Sequence, residues 1–139
     1  MNTFSKSEVF MRIAWELSAL GTCDRKKVGA LIVRDGRCIS WGYNGPPPGM
    51  PHCHHKPEDT ECFDAIHAEL NAVCFAARQG ISTDGATLFV TCSPCLRCSQ
   101  AIISSGISNV LYDEEYREPA GRELLEKAGV TCRMVTRPS

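Results

Sequence analysis

Apolar residues recur at helical spacing through Phe10, Ile13, Ala14, Leu17 and Leu20, which predicts a first helix with one buried face. Ser5-Lys6-Ser7-Glu8 just ahead of them fits a capping box, in which a serine hydroxyl and a glutamate carboxylate satisfy free N–H groups at the helix start. Met11 and Trp15 read as packing residues, and Gly21 is a natural stop. Two β-rich runs follow, Val28 to Val33 and Arg37 to Gly42. Asp35-Gly36 between them suits the positive φ of a tight hairpin turn. Gly42 to Gly49 is too dense in glycine and proline to extend a strand or begin a helix, so it reads as a shaped loop. A second long helix is expected from Ile66, with Leu70, Val73 and Ala77 continuing its buried stripe and Gly80 ending it.

Ala86 to Thr91 is an apolar strand pattern, and Pro94 reads as the first residue of the next helix, whose buried face includes Ala101 and Ile102. Asn109 to Tyr112, Arg122 to Ala128 and Val130 to Val135 then read as strand, helix and strand. The order is α-β-β-α-β-α-β-α-β. Its second half demands right-handed crossovers between parallel neighbours, and the hairpin in front adds an antiparallel pair. The expected architecture is α/β in three layers, α-β-α, around a mixed five-stranded sheet. At 139 residues the chain is expected to be a single domain, residues 1–139.

Composition narrows the function. Nine cysteines, an odd number, come without a secretory leader pattern, and two form a C-x-x-C. That favours metal binding in a reduced, cytoplasmic compartment over a disulfide framework. No run is apolar enough to suggest a membrane partner. A net charge of -1 argues against the broad basic surface that a nucleic-acid partner requires, so the expected partner is small.

The chemistry concentrates in His67-Ala68-Glu69 and Pro94-Cys95-Leu96-Arg97-Cys98. One imidazole and two thiolates, with no evident fourth ligand, describe a catalytic zinc, which keeps a position for water, better than a four-ligand structural one. His67 and Glu69 are two apart, a spacing that diverges on a helix body, so they converge only in a first turn. Cys95 and Cys98, three apart, share one face, and a helix N-terminus favours their thiolate forms. Zinc makes hydroxide available near neutral pH, and an unbound carboxylate beside it can carry protons, the role expected of Glu69. A thioredoxin-like redox pair leaves His67 and Glu69 unexplained. A structural zinc needs a fourth ligand, for which Cys92 is conceivable. The combination H-x-E…P-C-x-x-C is the signature of zinc-dependent deaminases.

Val28-Gly29-Ala30, Gly42-Tyr43-Asn44-Gly45, His67-Ala68-Glu69-Leu70-Asn71-Ala72 and Ser93-Pro94-Cys95-x-x-Cys98 resemble segments of the deoxycytidylate (dCMP) deaminases, over roughly residues 6 to 135. The resemblance implies a cytidine deaminase-like fold and conversion of dCMP to dUMP, a precursor of thymidylate. It assigns His67, Cys95 and Cys98 as zinc ligands and Glu69 as proton shuttle. Asn44 matches the sugar contact, and Ala68 and Ser93 flank the base. Arg25-Lys26-Lys27 lies where the nucleotide phosphate binds, with Arg25 the leading contact, Lys26 beside it and Tyr116 a further candidate. The family's hexameric assembly, activation by dCTP, inhibition by dTTP and use of Mg²⁺ with the triphosphate are implied in turn, with Gly42, Tyr43, Asn44 and Gly45 holding the effector. Some members carry a second, structural zinc. Cys23 and Cys53 match two of its ligands, Cys62 and His55 are chosen for the others, and His54 or His52 are alternatives.

Three other readings share these motifs. A tRNA adenosine deaminase would carry a basic surface, a free cytidine deaminase would have no use for a phosphate grip, and a zinc-stabilised binding module would have no use for Glu69.

Overall fold

The computed structural model describes residues 3–22, 26–51 and 65–138. In chain order these form α1 (Lys6–Ser18), β1 (Gly29–Arg34), β2 (Arg37–Tyr43), α2 (Ala68–Arg78), β3 (Thr87–Cys92), α3 (Leu96–Ser104), β4 (Asn109–Glu114), α4 (Ala120–Lys127) and β5 (Thr131–Met134), the order expected from the hydrophobic pattern. The sheet has five strands in the order β2-β1-β3-β4-β5. β1 runs antiparallel to both neighbours, β2 and β3, while β3, β4 and β5 are parallel. The sheet is therefore mixed. Asp35 and Gly36, at φ 53° and 75°, close the β1–β2 hairpin.

Alternate residues of the central strands point to opposite faces, and both faces are buried. Leu31, Val33, Phe89 and Leu111 lie under α1, together with Met11 and Ala14. Ala30, Ile32, Leu88, Val90, Val110 and Tyr112 pack on the other side with residues of α2, α3 and α4, among them Ala72, Ile102 and Leu125. Three layers result, as the element order requires.

The capping box of α1 is formed. The Glu8 amide donates to Ser5 Oγ at 3.1 Å, and the Ser5 amide donates to Glu8 Oε1 at 2.9 Å. The buried line of α1 differs from the expected one. Met11, Ala14 and Ser18 face the sheet, whereas Ile13 and Leu20 are 39% and 51% exposed. Small residues at 14 and 18 let the helix backbone approach β1, which turns the larger side chains outward. Trp15 anchors the helix laterally, donating from Nε1 to Asp113 at 2.8 Å beneath the Arg137 guanidinium.

The same effect corrects α2. Its buried line is Ala68, Glu69, Ala72 and Ala76, while Leu70 and Val73 are only partly buried and Ala77 is exposed. Strand β2 crosses very near this helix. A Cβ on Gly42 would stand 2.6 Å from the Ala68 carbonyl oxygen and 2.7 Å from the Ala72 nitrogen. Ser40 Oγ bridges the two elements by donating to the Ala72 carbonyl at 2.6 Å. Ala68 and Ala72 keep the helix face small at that separation. A further correction concerns Pro94, which lies outside α3, one residue before the cap, and is fully buried. Among the described residues no helix is long and apolar enough to cross a membrane.

Replacing Gly42 by alanine should destabilise the protein by about 1–3 kcal/mol, the usual cost of forcing extra atoms into a packed interface. Urea unfolding of both proteins measures it, and an unchanged midpoint would show that α2 can retreat freely.

Candidate active site

The carboxyl ends of β3 and β4 lead into loops at one edge of the sheet, the usual place for ligands in open α/β folds. β3 runs into Ser93-Pro94 and the start of α3. The start of α2 is brought to the same edge by a different route. Gly45 and Ile66 form an isolated antiparallel bridge, with N–H···O distances of 3.1 and 2.7 Å. Asn71 Nδ2 donates to the Tyr43 carbonyl at 2.8 Å and reaches the Ile66 carbonyl at 3.3 Å. The chain immediately before His67 is thus laced to the Gly42–Gly45 loop.

His67 and Cys95 both occupy N-cap positions in extended backbone conformation, and neither side chain caps its own helix. Cys98 is the third residue into α3, the place a partner takes in a capping box. His67 Nδ1 lies 3.3 Å from Cys98 Sγ and 3.6 Å from Cys95 Sγ. The three ligand atoms lie within 4.8 Å of one another. Tetrahedral zinc with bonds of about 2.0 Å to nitrogen and about 2.3 Å to sulfur separates such atoms by about 3.6 Å. The donor set fits zinc in both type and spacing. Neither Glu69 nor Cys92 belongs to the cluster, so among the described residues Cys92 does not supply the fourth ligand of a structural site.

By themselves the two thiols share one negative charge. The Cys98 hydrogen bond draws Cys95 down to about 4, and the same bond, with burial, raises Cys98 above the ordinary thiol range. Only a cation between them makes two thiolates favourable. Glu69, second residue of α2, is 4% exposed. Burial raises its carboxyl above the usual range, against the opposing effects of its own backbone N–H and of His67, and its side chain also reaches Cys98. A buried carboxylate beside the cluster, but outside it, is placed to exchange protons with a water there.

The other described candidates lie at the start of α2, just before β1, in and after β2, and after β3 and β4. Ala68 is fully buried at the start of α2. Asn44 is 6% exposed and its amide is engaged, accepting from the Val28 amide at 2.8 Å and donating to the Lys26 carbonyl at 2.7 Å. Lys26 itself pairs with Glu114 at 3.4 Å between half-exposed side chains, an arrangement worth little energy. Ser93 is 3% exposed, and its Oγ accepts from the Tyr116 amide at 2.7 Å. Gly42 and Gly45 are buried and Tyr43 is partly so, stacked on Trp41 at 6.1 Å between ring centres. Arg25, Cys23, Cys53, Cys62, His55, His52 and His54 lie outside the described residues.

Three residues at the site escaped sequence reasoning. Asn71 was visible only as part of a motif, with no role attached. Gly121 and Arg122 open the short helix α4, and Arg122 Nη1 donates to Ser93 Oγ at 3.1 Å and to the Tyr116 carbonyl at 2.9 Å. No local pattern signals such a contact, because it joins positions 29 residues apart.

Residues 4–114 match the family model described as the cytidine and deoxycytidylate deaminase zinc-binding region. The chain is 42% identical to ComE operon protein 2 of Bacillus subtilis, covering 97% of this chain and 74% of that protein. It is 36% identical to the deoxycytidylate deaminase of Enterobacteria phage T4, covering 90% and 87% respectively. Its fold superimposes with a TM-score of 0.89 on the dCMP deaminase of cyanophage S-TIM5 solved in complex with dCMP and dUMP. That match is 34% identical and spans 97% of this chain and all of the phage chain (100%).

If the cluster is the metal site, Cys98→Ser should lose stoichiometric zinc while Cys92→Ser keeps it. Metal analysis of the purified proteins decides, and equal zinc loss in both would return Cys92 to the ligand set.

Proposed function

The chain belongs to the cytidine and deoxycytidylate deaminase family, and from that premise we propose that it hydrolyses dCMP to dUMP and ammonia. The observation that carries the reading is the convergence of His67, Cys95 and Cys98 beside a buried carboxylate that stands outside the ligand cluster. His67, Cys95 and Cys98 are the residues that would hold zinc. When bound, zinc would lower the pKa of a water to about 7 and so supply a nucleophile at neutral pH.

The chain's own groups supply the rest. Deamination adds the oxygen of water to the ring carbon bearing the amino group, and the amino group leaves as ammonia. Glu69 takes a proton from the water and delivers it to the adjacent ring nitrogen. The same carboxyl passes the second proton to the departing amine, so that dCMP and water become dUMP and ammonia with atoms balanced. Its enclosure at the start of α2 keeps the proton path short and shielded from bulk water. Ala68 and Ser93 flank the base in this reading, Asn44 borders the sugar, and Arg25, Lys26 and Tyr116 bear on the phosphate.

The substrate assignment is supported by similarity to the phage deoxycytidylate deaminases, including the structure solved with dCMP and dUMP. The net charge of -1 favours a small nucleotide over a tRNA adenosine substrate. Regulation by dCTP and dTTP with Mg²⁺, a hexameric assembly and a second zinc held by Cys23, Cys53, His55 and Cys62 complete the proposal and rest on the family resemblance.

Glu69→Gln should retain its zinc and lose roughly 10²–10⁴-fold in kcat, the range of general acid–base catalysis. Spectrophotometric assay with dCMP, deoxycytidine and an RNA substrate side by side, with and without each triphosphate, tests substrate and regulation together. Substantial dCMP turnover by the metal-loaded variant would remove the shuttle role, and preference for RNA would overturn the substrate.

A further inference from the structure

Helix α4 contributes no residue to the metal cluster, yet its first turn lies directly against the loop that carries Cys95. Gly121 is the contact point. A Cβ built there would stand 2.8 Å from the Cys95 carbonyl carbon and 2.9 Å from its oxygen, and nearer still to the Pro94 carbonyl. All of these are backbone atoms, so a side chain could not be accommodated by a rotamer change.

The next residue acts across the gap between two loops. Arg122 is largely buried, at 18% side-chain exposure, with Glu115 at 4.0 Å. Its Nη1 donates to Ser93 Oγ and to the Tyr116 carbonyl, while the Tyr116 amide also donates to Ser93 Oγ. A closed ring of hydrogen bonds therefore ties the start of the β3–α3 loop to the β4–α4 loop. A hydroxyl has two acceptor positions and one donor. Both acceptor positions of Ser93 are occupied in this ring, which leaves the Ser93 O–H as a donor only.

We propose that α4 is the buttress of the active site: Gly121 sets the backbone position of Cys95, and Arg122 is a positioning residue that fixes Ser93 and Tyr116 at the substrate's border. The Arg122 role rests on the functional reading above, whereas the Gly121 role is independent of it. The hydrogen bonds of Arg122 go to Ser93 and Tyr116 and its ion pair to Glu115, so its removal loosens the substrate-bordering loops and leaves the proton shuttle in place. Nη1 carries both of these bonds while Nη2 of the same planar group stands 4.0 Å from Glu115, a span that the compact ammonium of a lysine does not reproduce.

The test uses Arg122→Met, Arg122→Lys and Gly121→Ala in the full, zinc-loaded chain. For Arg122→Met, KM for dCMP should rise at least about 10-fold, as expected for loss of charged hydrogen bonds, with a much smaller fall in kcat and unchanged zinc content. Arg122→Lys should lie between it and the wild type. Gly121→Ala should release zinc to a chromogenic chelator about 10–100-fold faster, the scale of lost outer-shell support. Unchanged KM in folded Arg122→Met, or a fall in kcat alone, overturns the positioning role. Zinc release at the wild-type rate from Gly121→Ala overturns the buttress at Cys95; if that variant does not fold, Leu125→Ala, which loosens α4 from the core without adding atoms at Cys95, takes its place, and release at the wild-type rate overturns the buttress there too. A wild-type chain inactive on dCMP would overturn the functional reading instead, with zinc release still reporting on α4.

Discussion

Two helix starts that leave their capping positions to other work are the constraint on which this structure turns. An N-cap side chain ordinarily satisfies one of the first free N–H groups of its helix, and its loss costs about 0.5–2 kcal/mol. α1 observes that rule with Ser5 and Glu8. α2 and α3 do not, because their caps are His67 and Cys95. Their imidazole and thiol turn toward one another across the gap between the helices. The first N–H groups and aligned dipoles of these helices then face a thiolate and a carboxyl, the Glu69 N–H bonding its own side chain, which offsets part of the missing caps. Helix geometry and site chemistry are thereby coupled: the anionic groups are stabilised by the helix ends, and the helix ends by the anions.

Holding two helix starts together requires that the helices themselves be fixed to better than the length of a hydrogen bond. The sheet does this by close approach. Gly42 and Ser40 bring β2 to the alanine face of α2, and the Gly45–Ile66 bridge with Asn71 carries the restraint up to His67. On the other side β3 and β4, being parallel, end at the same edge and present Ser93 and Tyr116 to each other. Bulky apolar residues at these contacts would bury more area but separate the backbones, and the cluster would not form.

Element order and type were legible throughout, because each run of periodicity was long and its stop signals were chemical: the Ser5–Glu8 box, the Asp35-Gly36 turn, the C-x-x-C after a strand. That His67 and Glu69 stand at a helix start was legible too, since a spacing of two diverges on a helix body. The buried faces were less so. Leu20, Ile13 and Ala77 were expected inside and lie outside, because periodicity weighs side chains by hydrophobicity whereas α1 and α2 pack by smallness, through Ala14, Ser18, Ala68 and Ala72. Arg122 and Gly121 were invisible for another reason. Their partners are a hydroxyl and backbone atoms far along the chain, and a residue's fit to distant backbone leaves no trace in local pattern.

The side chains at this site divide by what secures them. His67, Glu69, Cys95 and Cys98 sit at the first turns of helices whose later turns are in the core, through Ala72, Ala76 and Ile102. Their mutual geometry is therefore held by packed elements, the core faces of α2 and α3 and the close contact of Gly121 with Cys95, with the Gly45–Ile66 bridge added at His67. Asn44, Lys26, Ser93 and Tyr116 are held differently, each through hydrogen bonds from one loop to the next: Asn44 to Lys26 and Val28, Ser93 to Tyr116 and Arg122. Those bonds can be exchanged without disturbing the core. A fold built this way can keep one reaction while its loops select the molecule on which the reaction is performed, which is why the motifs of this chain specify the chemistry more tightly than the substrate.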